Sequence, residues 1–356
     1  AGGANPPGAT LYAYFTGETG NGVPTHPLPF KSEFIDAFEL GTKNTLLDGA
    51  LTLNGSLFYY NYENYQISEI VDRTSINLNF DAHVKGAELE ATWEPAPGLR
   101  FNFAGGWEGT ALARGSNSVD LMDRTAGNSD WIVVKPFVTQ SSNCILPKYV
   151  IADAILAYGV GGEGNPAVSM CGFAYGQHID PITGLPYDPL HPRTTYRDLN
   201  GACVCAGLEK GSAIPVTYPG FDPASAPNNG AGFSKDLSGN ELPNAPPFTV
   251  SFGAQYSLPL TPDWAGTLRS DFYWQSDSWA RVFNDDPYDR IRGYNTVNLS
   301  AILTNQSGWQ VMLYDKNVFN TTAITGTFLN SDDSGLTTNV FLTDPKLIGV
   351  RVTKNW

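Results

Sequence analysis

The feature that most constrains this chain is a period-two alternation of apolar and polar side chains, repeated over long stretches. Successive side chains of a β-strand point to opposite faces, so the alternation predicts strands with one apolar and one polar face. In residues 86–94, for example, the apolar positions are Ala87, Leu89, Ala91 and Trp93. The pattern predicts nine strands, at residues 34–47, 50–65, 79–94, 99–113, 246–259, 265–282, 293–304, 308–319 and 344–356.

The connections between these strands alternate strictly between short and long. The short ones are turns at residues 48–49, 96–98, 261–263 and 305–307, and the long ones are residues 66–78, 114–245, 283–292 and 320–343. Several strands also reach the ~9–11 residues that a tilted membrane strand requires. Outer-membrane barrels combine such strands with short periplasmic turns and long extracellular loops. The sequence therefore predicts an all-β fold, a transmembrane antiparallel β-barrel.

The last predicted strand supports the same interpretation. Ile348, Val350 and Val352 alternate towards an aromatic residue, Trp356. In a membrane barrel an aromatic ring at this position belongs to the girdle at the membrane interface. These four residues are the predicted C-terminal barrel signature.

Composition excludes other classes of protein. The chain of 356 residues is 42% hydrophobic and 16% charged, which rules out intrinsic disorder. Its net charge of −14 argues against a nucleic-acid partner, which would need a basic surface. No apolar run approaches the ~18 residues of a membrane-spanning helix.

All four cysteines, Cys144, Cys171, Cys203 and Cys205, lie in the longest predicted loop. An even number of cysteines at an oxidising cell surface favours disulfides. A bond between Cys203 and Cys205 is geometrically poor, because extended backbone separates their Cα atoms by ~7 Å with parallel side chains. We expect Cys144 and Cys171 each to pair with one of the other two. The alternatives are free thiols or a metal site.

The sequence predicts neither a catalytic set nor a cofactor nor a structural metal. Glu88 and Glu90 share a face roughly 7 Å apart, which could suit a glycosidase acid pair, but charged residues are normal inside a barrel. An acidic cluster around Asp285 and Asp286 lacks the spacing of a calcium loop and indicates a solvated loop. The other members of that cluster are Asn284 and Asp289.

Several motifs in this order resemble the C-terminal barrel region of TonB-dependent outer-membrane receptors. The resemblance covers residues 31–113 and 241–356, and the motifs are Phe38-Glu39-Leu40-Gly41-Thr42-Lys43, Leu57-Phe58-Tyr59-Tyr60-Asn61-Tyr62, Val84-Lys85-Gly86-Ala87-Glu88-Leu89-Glu90, Leu242-Pro243-Asn244-Ala245-Pro246, Tyr314-Asp315-Lys316-Asn317-Val318-Phe319-Asn320 and Asp344-Pro345-Lys346-Leu347-Ile348-Gly349-Val350. Family members usually end in Phe, where this chain has Trp356.

The resemblance implies a plugged barrel of 22 strands that imports a scarce small nutrient of siderophore, cobalamin or carbohydrate type. It also implies a set of partners: outer-membrane lipid, TonB, a plug, the remaining barrel strands, the barrel-assembly machinery and the nutrient itself. Nine strands cannot close a single-chain bacterial barrel, which needs an even number. We therefore expect the chain to be the last nine strands of a larger receptor, either a partial sequence or one piece of a split receptor.

This expectation divides the chain into four parts. Residues 1–33 are an extracellular loop remnant, 34–113 are barrel strands, 114–245 are a long Cys-containing extracellular loop, and 246–356 are barrel strands ending in the C-terminal aromatic. The alternative is a secreted β-sandwich that binds or cleaves carbohydrate, which would bury its apolar faces and close within the chain. A passive porin is a third possibility, but porins lack the motifs above.

Overall fold

The structure, a computed structural model, describes residues 31–71, 74–134, 144–152, 178–179, 186–187, 226–330 and 337–356. Within these residues, nine strands form one antiparallel sheet, and each pairs with the next of the nine along the chain. They are β1 (Phe34–Leu46), β2 (Leu51–Val71), β3 (Thr74–Ala96), β4 (Leu99–Leu112), β11 (Phe248–Pro259), β12 (Trp264–Gln275), β15 (Tyr294–Asn305), β16 (Trp309–Lys316) and β19 (Leu347–Lys354). The nine predicted strands and their order are confirmed.

Smaller two-stranded sheets lie between these strands. They are β5 (Asn117–Val119) with β10 (Ser234–Asp236), β6 (Trp131–Val134) with β7 (Cys144–Pro147), β8 (His178–Ile179) with β9 (Pro186–Tyr187), β13 (Ser278–Trp279) with β14 (Arg290–Ile291), and β17 (Ile324–Leu329) with β18 (Thr338–Leu342). Two 3₁₀ turns span Leu47–Gly49 and Pro227–Gly230. None of the helices in the described ranges is long and apolar enough to cross a membrane.

One predicted connection was wrong. Residues 66–78 are almost entirely strand, because β2 and β3 continue pairing until Val71 faces Thr74. The Ser68 hydroxyl donates a hydrogen bond of 2.6 Å to Asn77 Oδ1 across this extension. On the β3 side, Leu78 and Phe80 alternate with Asn77 and Asn79, so the pattern extends beyond the predicted start of the strand at residue 79. In the opposite direction, β12 ends at Gln275 rather than at residue 282.

The four predicted turns lie at one end of the sheet, which we call the turn end. The long connections and the tip of the extended β2–β3 hairpin lie at the other end, the loop end. The turn at Gly98 shows why glycine is needed where two neighbouring hairpins approach closely. Gly98 has a φ of 80°, and a Cβ atom there would collide with the carbonyl oxygen of Ser257. Only glycine adopts this conformation without such a penalty, so the neighbouring hairpins approach closely at this point.

The pairing register separates the sheet into two chemically different faces. One, the apolar face, carries residues such as Leu57, Phe252, Leu268 and Val350, and these side chains are 41–63% exposed. Its rings also pack across strands, as in the stacked pair of Phe101 with Phe252. The other, the polar face, carries the intervening residues of each strand. A two-faced sheet whose large apolar side chains are exposed needs an apolar medium on that side.

Candidate functional site

The polar face carries charged and amide side chains along the middle strands. Arg269 on β12 donates two hydrogen bonds to the Asp271 carboxylate, of 2.9 and 2.5 Å, and a third to Gln255 Oε1 on β11 at 3.3 Å. Glu88 and Glu90 on β3 also lie on this face, where the Ser56 hydroxyl donates to Glu88. The face is therefore suited to water or polar groups, and the two glutamates belong to a row of polar residues.

At the loop end, connecting segments fold back onto the polar face and bury a hydrophobic core. Leu237, Leu242, Val282 and Phe283 from the connections pack against strand residues: Phe80, Ala82, Val84 and Leu112. We call three described segments of these connections, residues 114–134, 226–245 and 276–293, the cap. Burial of each large side chain stabilises the cap by about 1.5–3 kcal/mol.

Hydrogen bonds fasten the cap segments to each other and to the sheet. The Leu242 amide donates to Thr110 Oγ1 on β4 at 2.9 Å. The Asn240 side-chain amide donates to the Val282 and Phe283 carbonyls at 2.8 and 3.2 Å. The Glu241 amide donates to Asn284 Oδ1 at 2.7 Å. These bonds join residues more than 40 positions apart, so the cap is a packed layer.

A network of ion pairs lies at the centre of the cap. The Asp120 carboxylate, whose side chain is fully buried, accepts hydrogen bonds from Arg281 at 2.7 Å and from Lys235 at 3.1 Å. Arg281 also binds Asp289 at 2.6 Å. Lys235 also binds Asp285 at 2.9 Å and Asp123 at 3.1 Å. The network connects all three segments of the cap through two cations.

The two buried carboxyl groups of this network differ in their pKa values. Burial opposes the charged form of Asp120, but hydrogen bonds from Arg281, the Met122 amide and Lys235, with the Arg281 charge, outweigh it and lower the pKa of Asp120. Burial prevails at Asp289 and raises its pKa, although Arg281 binds it. Asp120 is therefore the carboxylate that the network stabilises in its charged form.

This network corrects the expectation for the acidic cluster. We expected a solvated loop, but Asp289 is 2% exposed and, like Asp285, takes part in the network. Asp286 pairs with Arg290 at 3.2 Å, and the Asn284 side chain bonds to backbone carbonyls. The described residues contain no group of three or more side chains placed to hold a metal ion. The cluster is part of the scaffold of the cap.

Asn317 joins β16 to the connection that follows it. Its side-chain amide donates to the Thr321 and Asp344 carbonyls at 2.9 and 2.8 Å, and its Oδ1 accepts from the Thr321 amide at 2.9 Å. Its backbone amide donates to Asn298 Oδ1. Asn317 has a φ of 48°, a conformation that Asn tolerates better than most residues. It lies within the Tyr314–Asn320 motif, and its structural role could not be inferred from the sequence.

The predicted C-terminal residues lie together on the apolar face. Ile348, Val350 and Val352 are 64%, 63% and 59% exposed, and Trp356 is fully exposed. The Lys354 ammonium group lies 5.4 Å from the centroids of both the Trp309 and Trp356 rings. The arrangement brings a cation and two indole rings together at the turn end.

Among the cysteines, only Cys144 lies in the described part of the chain. It is buried on β7 and disulfide-bonded. Cys171, Cys203 and Cys205 lie outside the described residues, so the predicted pairing stays a prediction.

A cavity of about 370 Å³ lies beside the cap at the loop end. Its lining combines apolar and polar residues from the extended β2, the cap and β17, among them Tyr65, Ile67, Glu69, Leu121, Val282 and Phe328. Cavities of this size and mixed lining can hold a small molecule. Together, the polar face and the cap provide surfaces for binding.

Comparison with known proteins supports the interpretation of the sheet. Residues 2–159 match the family model described as TonB dependent receptor-like, beta-barrel. No curated protein matches the sequence.

Three similar solved structures are receptors. The ferric yersiniabactin uptake receptor FyuA from Yersinia pestis has 15% identity and a TM-score of 0.46, over 93% of this chain and 32% of that one. The ferric-catecholate import receptor Fiu from E. coli K12 has 12% identity and a TM-score of 0.42, over 91% and 27%. The ferric preacinetobactin receptor BauA from Acinetobacter baumannii has 12% identity and a TM-score of 0.43, over 99% and 31%. The chain spans less than a third of the length of each.

Proposed function

We propose that this chain is part of a TonB-dependent receptor β-barrel of the Gram-negative outer membrane and takes part in the active uptake of a scarce small nutrient. The observation that carries the proposal is the division of the nine-stranded sheet into an exposed apolar face and a polar face. The apolar face contacts lipid, and the polar face lines the lumen through which the nutrient passes.

Aromatic belts on the apolar face support its contact with lipid. At the turn end the belt contains Trp93, Trp264 and Trp309, and at the loop end Trp107 and Phe248. From Leu99 to Trp107 on β4, strand residues at ~3.4 Å each, tilted by about 40°, cover roughly 21 Å of height. Outer-membrane barrels have an apolar band of about 25 Å between their aromatic girdles.

We place the loop end outside the cell and the turn end in the periplasm. The elaborated connections, with their cap and the disulfide at Cys144, lie at the loop end. Long, folded connections belong to the extracellular side of such barrels, and disulfides form in oxidising surroundings. In this orientation the 370 Å³ cavity faces the medium and is the first candidate surface for contact with the nutrient.

The transport step requires parts beyond these nine strands. Strands β1 and β19 are at the two edges of the described sheet, and each leaves one edge unpaired there. Unpaired backbone groups in lipid cost several kcal/mol each, so further strands close the barrel. A plug in the lumen and TonB in the periplasm would supply the gate and the energy. This chain binds and guides the nutrient and makes no covalent bond.

The test is energised uptake in cells that lack the gene encoding this chain. The deletion strain is grown on defined iron, cobalamin and carbohydrate sources, and uptake of each labelled nutrient is compared with that of the parent strain. We expect uptake of one nutrient to fall at least tenfold at low concentration and to return when the gene is restored. The same loss is expected in the parent strain without TonB.

Two results would contradict the proposal. One is uptake that depends on the gene but not on TonB, which would indicate a passive pore. The other is a gene product that is secreted and remains soluble without detergent, which would indicate a β-sandwich.

A further inference from the structure

The cavity of about 370 Å³ beside the cap has two charged residues in its lining, Glu69 on β2 and Arg281 in the cap. The strand register places Glu69 on the same face of β2 as Tyr65 and Ile67, which pack against the core under the cap. The cavity therefore combines apolar walls with two charged groups, and the partners of these groups decide which ligand it favours.

The charge of Arg281 is already neutralised within the cap. Its guanidinium group binds the carboxylates of Asp120 at 2.7 Å and Asp289 at 2.6 Å, and it lies 5.0 Å from the centroid of the Phe283 ring. A carboxylate or phosphate of a ligand would have to compete with both of these ion pairs. The cavity therefore disfavours an anionic group.

Glu69, in contrast, has no partner among the described residues: none of them donates a hydrogen bond to its carboxylate or forms an ion pair with it. The residue is partly exposed and its carboxylate oxygens are not enclosed, so a ligand in the cavity can reach them. A carboxylate in this position gains a charge-assisted hydrogen bond from a cationic donor.

The surroundings of Glu69 make its charge sensitive to pH. Burial raises the pKa of Glu69 to about 7, while the Arg281 charge opposes this rise, the Asp120 charge adds to it and the Arg124 charge opposes it. The residues that β17 contributes to the lining are uncharged. A bound cation would compensate the cost of the charged form, so ligand binding and loss of the proton are linked.

We infer that this cavity binds a small ligand with an ammonium or guanidinium group on an apolar body, and that the cationic group donates to the Glu69 carboxylate. The apolar body packs against walls that include Ile67, Leu121, Val282 and Phe328. The cavity volume is near the lower end of the range of ligand pockets, about 300–1,000 Å³, so it suits one small organic cation. The inference rests on the proposed function, because it takes this ligand to be the nutrient.

The experiment measures binding of three labelled probes to the receptor, purified in mild detergent as its gene encodes it. The probes share one aromatic body and differ in charge: phenethylamine is a cation, phenethyl alcohol is neutral and hydrocinnamate is an anion. Binding is measured by equilibrium dialysis as the excess over uptake by detergent alone. At about pH 8 we expect phenethylamine to bind at least tenfold more tightly than the other two, because only phenethylamine gains a charge-assisted hydrogen bond.

The affinity for phenethylamine should also depend on pH. We expect it to rise about tenfold from about pH 6 to about pH 8, because Glu69 loses its proton over this range. The amine stays charged throughout, since its pKa is close to that of Lys, about 10.

Three variants locate the binding. Glu69→Gln preserves side-chain shape and removes the charge, so it should weaken phenethylamine binding about tenfold and abolish its pH dependence. Thr327→Trp, on β17, fills the cavity and should block the probe. Glu63→Gln, at an exposed position of the same strand outside the cavity, is the matched control and should bind like the parent. Circular dichroism of each variant verifies that the barrel is folded.

The inference would be overturned by equal binding of the three probes, by no binding above that of detergent, or by binding that Thr327→Trp leaves unchanged. A pH dependence that persists in Glu69→Gln would also overturn it, since the titrating group would then lie elsewhere in the cap. Because no transport is measured, failure here leaves the proposed uptake of another nutrient intact, and failed uptake leaves a measured binding site intact.

Discussion

At the residue scale, the stability of the cap depends most on Asp120. Its buried carboxylate neutralises Arg281 and Lys235 together, and residues from all three cap segments meet there. Removal of one partner from a buried ion pair leaves uncompensated charge and costs about 3–5 kcal/mol. We expect Asp120→Asn to loosen the cap by this amount, measured as faster limited proteolysis of residues 226–245. Asp130→Asn, at an exposed position of the same segment, should change the rate little.

The pKa shifts in this network also predict a dependence on pH. The pKa of Asp120 is lowered by folding, so its contribution is complete above the unfolded carboxyl pKa of about 4 and is lost as pH falls through the folded value. Folding raises the pKa of Asp289 because burial disfavours its charged form. Protonation of Asp289 on mild acidification removes this unfavourable buried charge and so stabilises the cap. We expect cap stability to rise slightly and then fall as pH decreases. Pepsin cleavage of the cap from about pH 5 to about pH 2 measures this, and a monotonic profile would contradict it.

Asn317 gives a second residue-scale prediction. Asn317→Ala removes three side-chain hydrogen bonds and places Ala at a φ of 48°, so we expect a loss of about 2–4 kcal/mol in unfolding free energy. Urea unfolding in detergent measures the loss. The control is Asn330→Ala, which removes one exposed hydrogen bond to Thr337. Equal effects of the two variants would show that Asn317 has no special role.

At the scale of the elements, the strands could be predicted because the two faces of each strand meet different environments, and its side chains alternate accordingly. In residues 86–94 or 248–258, the face of a side chain follows from its parity alone. The strand ends were predicted less well, since at the loop end of β2 and β3 the apolar side chains, among them Ile67, Leu78 and Phe80, lie on the face that is polar elsewhere and pack against the cap. The cap could not be predicted from the sequence for a different reason. Asp120 and Arg281 are 161 positions apart, and no local pattern connects them.

Because the two faces meet different environments, the same substitution on β12 should change stability by different amounts on each face. Leu268 lies on the apolar face and the adjacent Thr267 lies on the polar face. Arginine at a lipid-facing position near the middle of the membrane costs about 2–4 kcal/mol, whereas an arginine in a lumen remains hydrated. We expect Leu268→Arg to lower the unfolding free energy by this amount and Thr267→Arg to change it by less than about 1 kcal/mol. Urea titrations in phospholipid vesicles compare them. Equal losses would mean that the two faces share one environment.

At the scale of the whole molecule, the question is how the sheet closes. An antiparallel sheet in lipid cannot keep free edges, and β1 exposes Phe38 and Leu40 by 66% and 73% beside its own free edge. The motifs of the sequence predicted this incompleteness, since nine strands are too few for the family. The partners of the two edge strands could not be predicted, because they are not among the described strands.

Closure has a measurable consequence for the backbone amides of the edge strands. Within a closed barrel the outward-pointing amides of β1 and β19 are hydrogen-bonded to further strands, so they open only with the barrel itself. We expect hydrogen exchange in the protein, as encoded and folded in detergent, to be as slow in β1 and β19 as in the central strands β11 and β12. An open sheet would instead exchange every second amide of each edge strand within seconds, since alternate amides of an edge have no partner. The pattern along β1 distinguishes the two cases without any knowledge of which strand lies beside it.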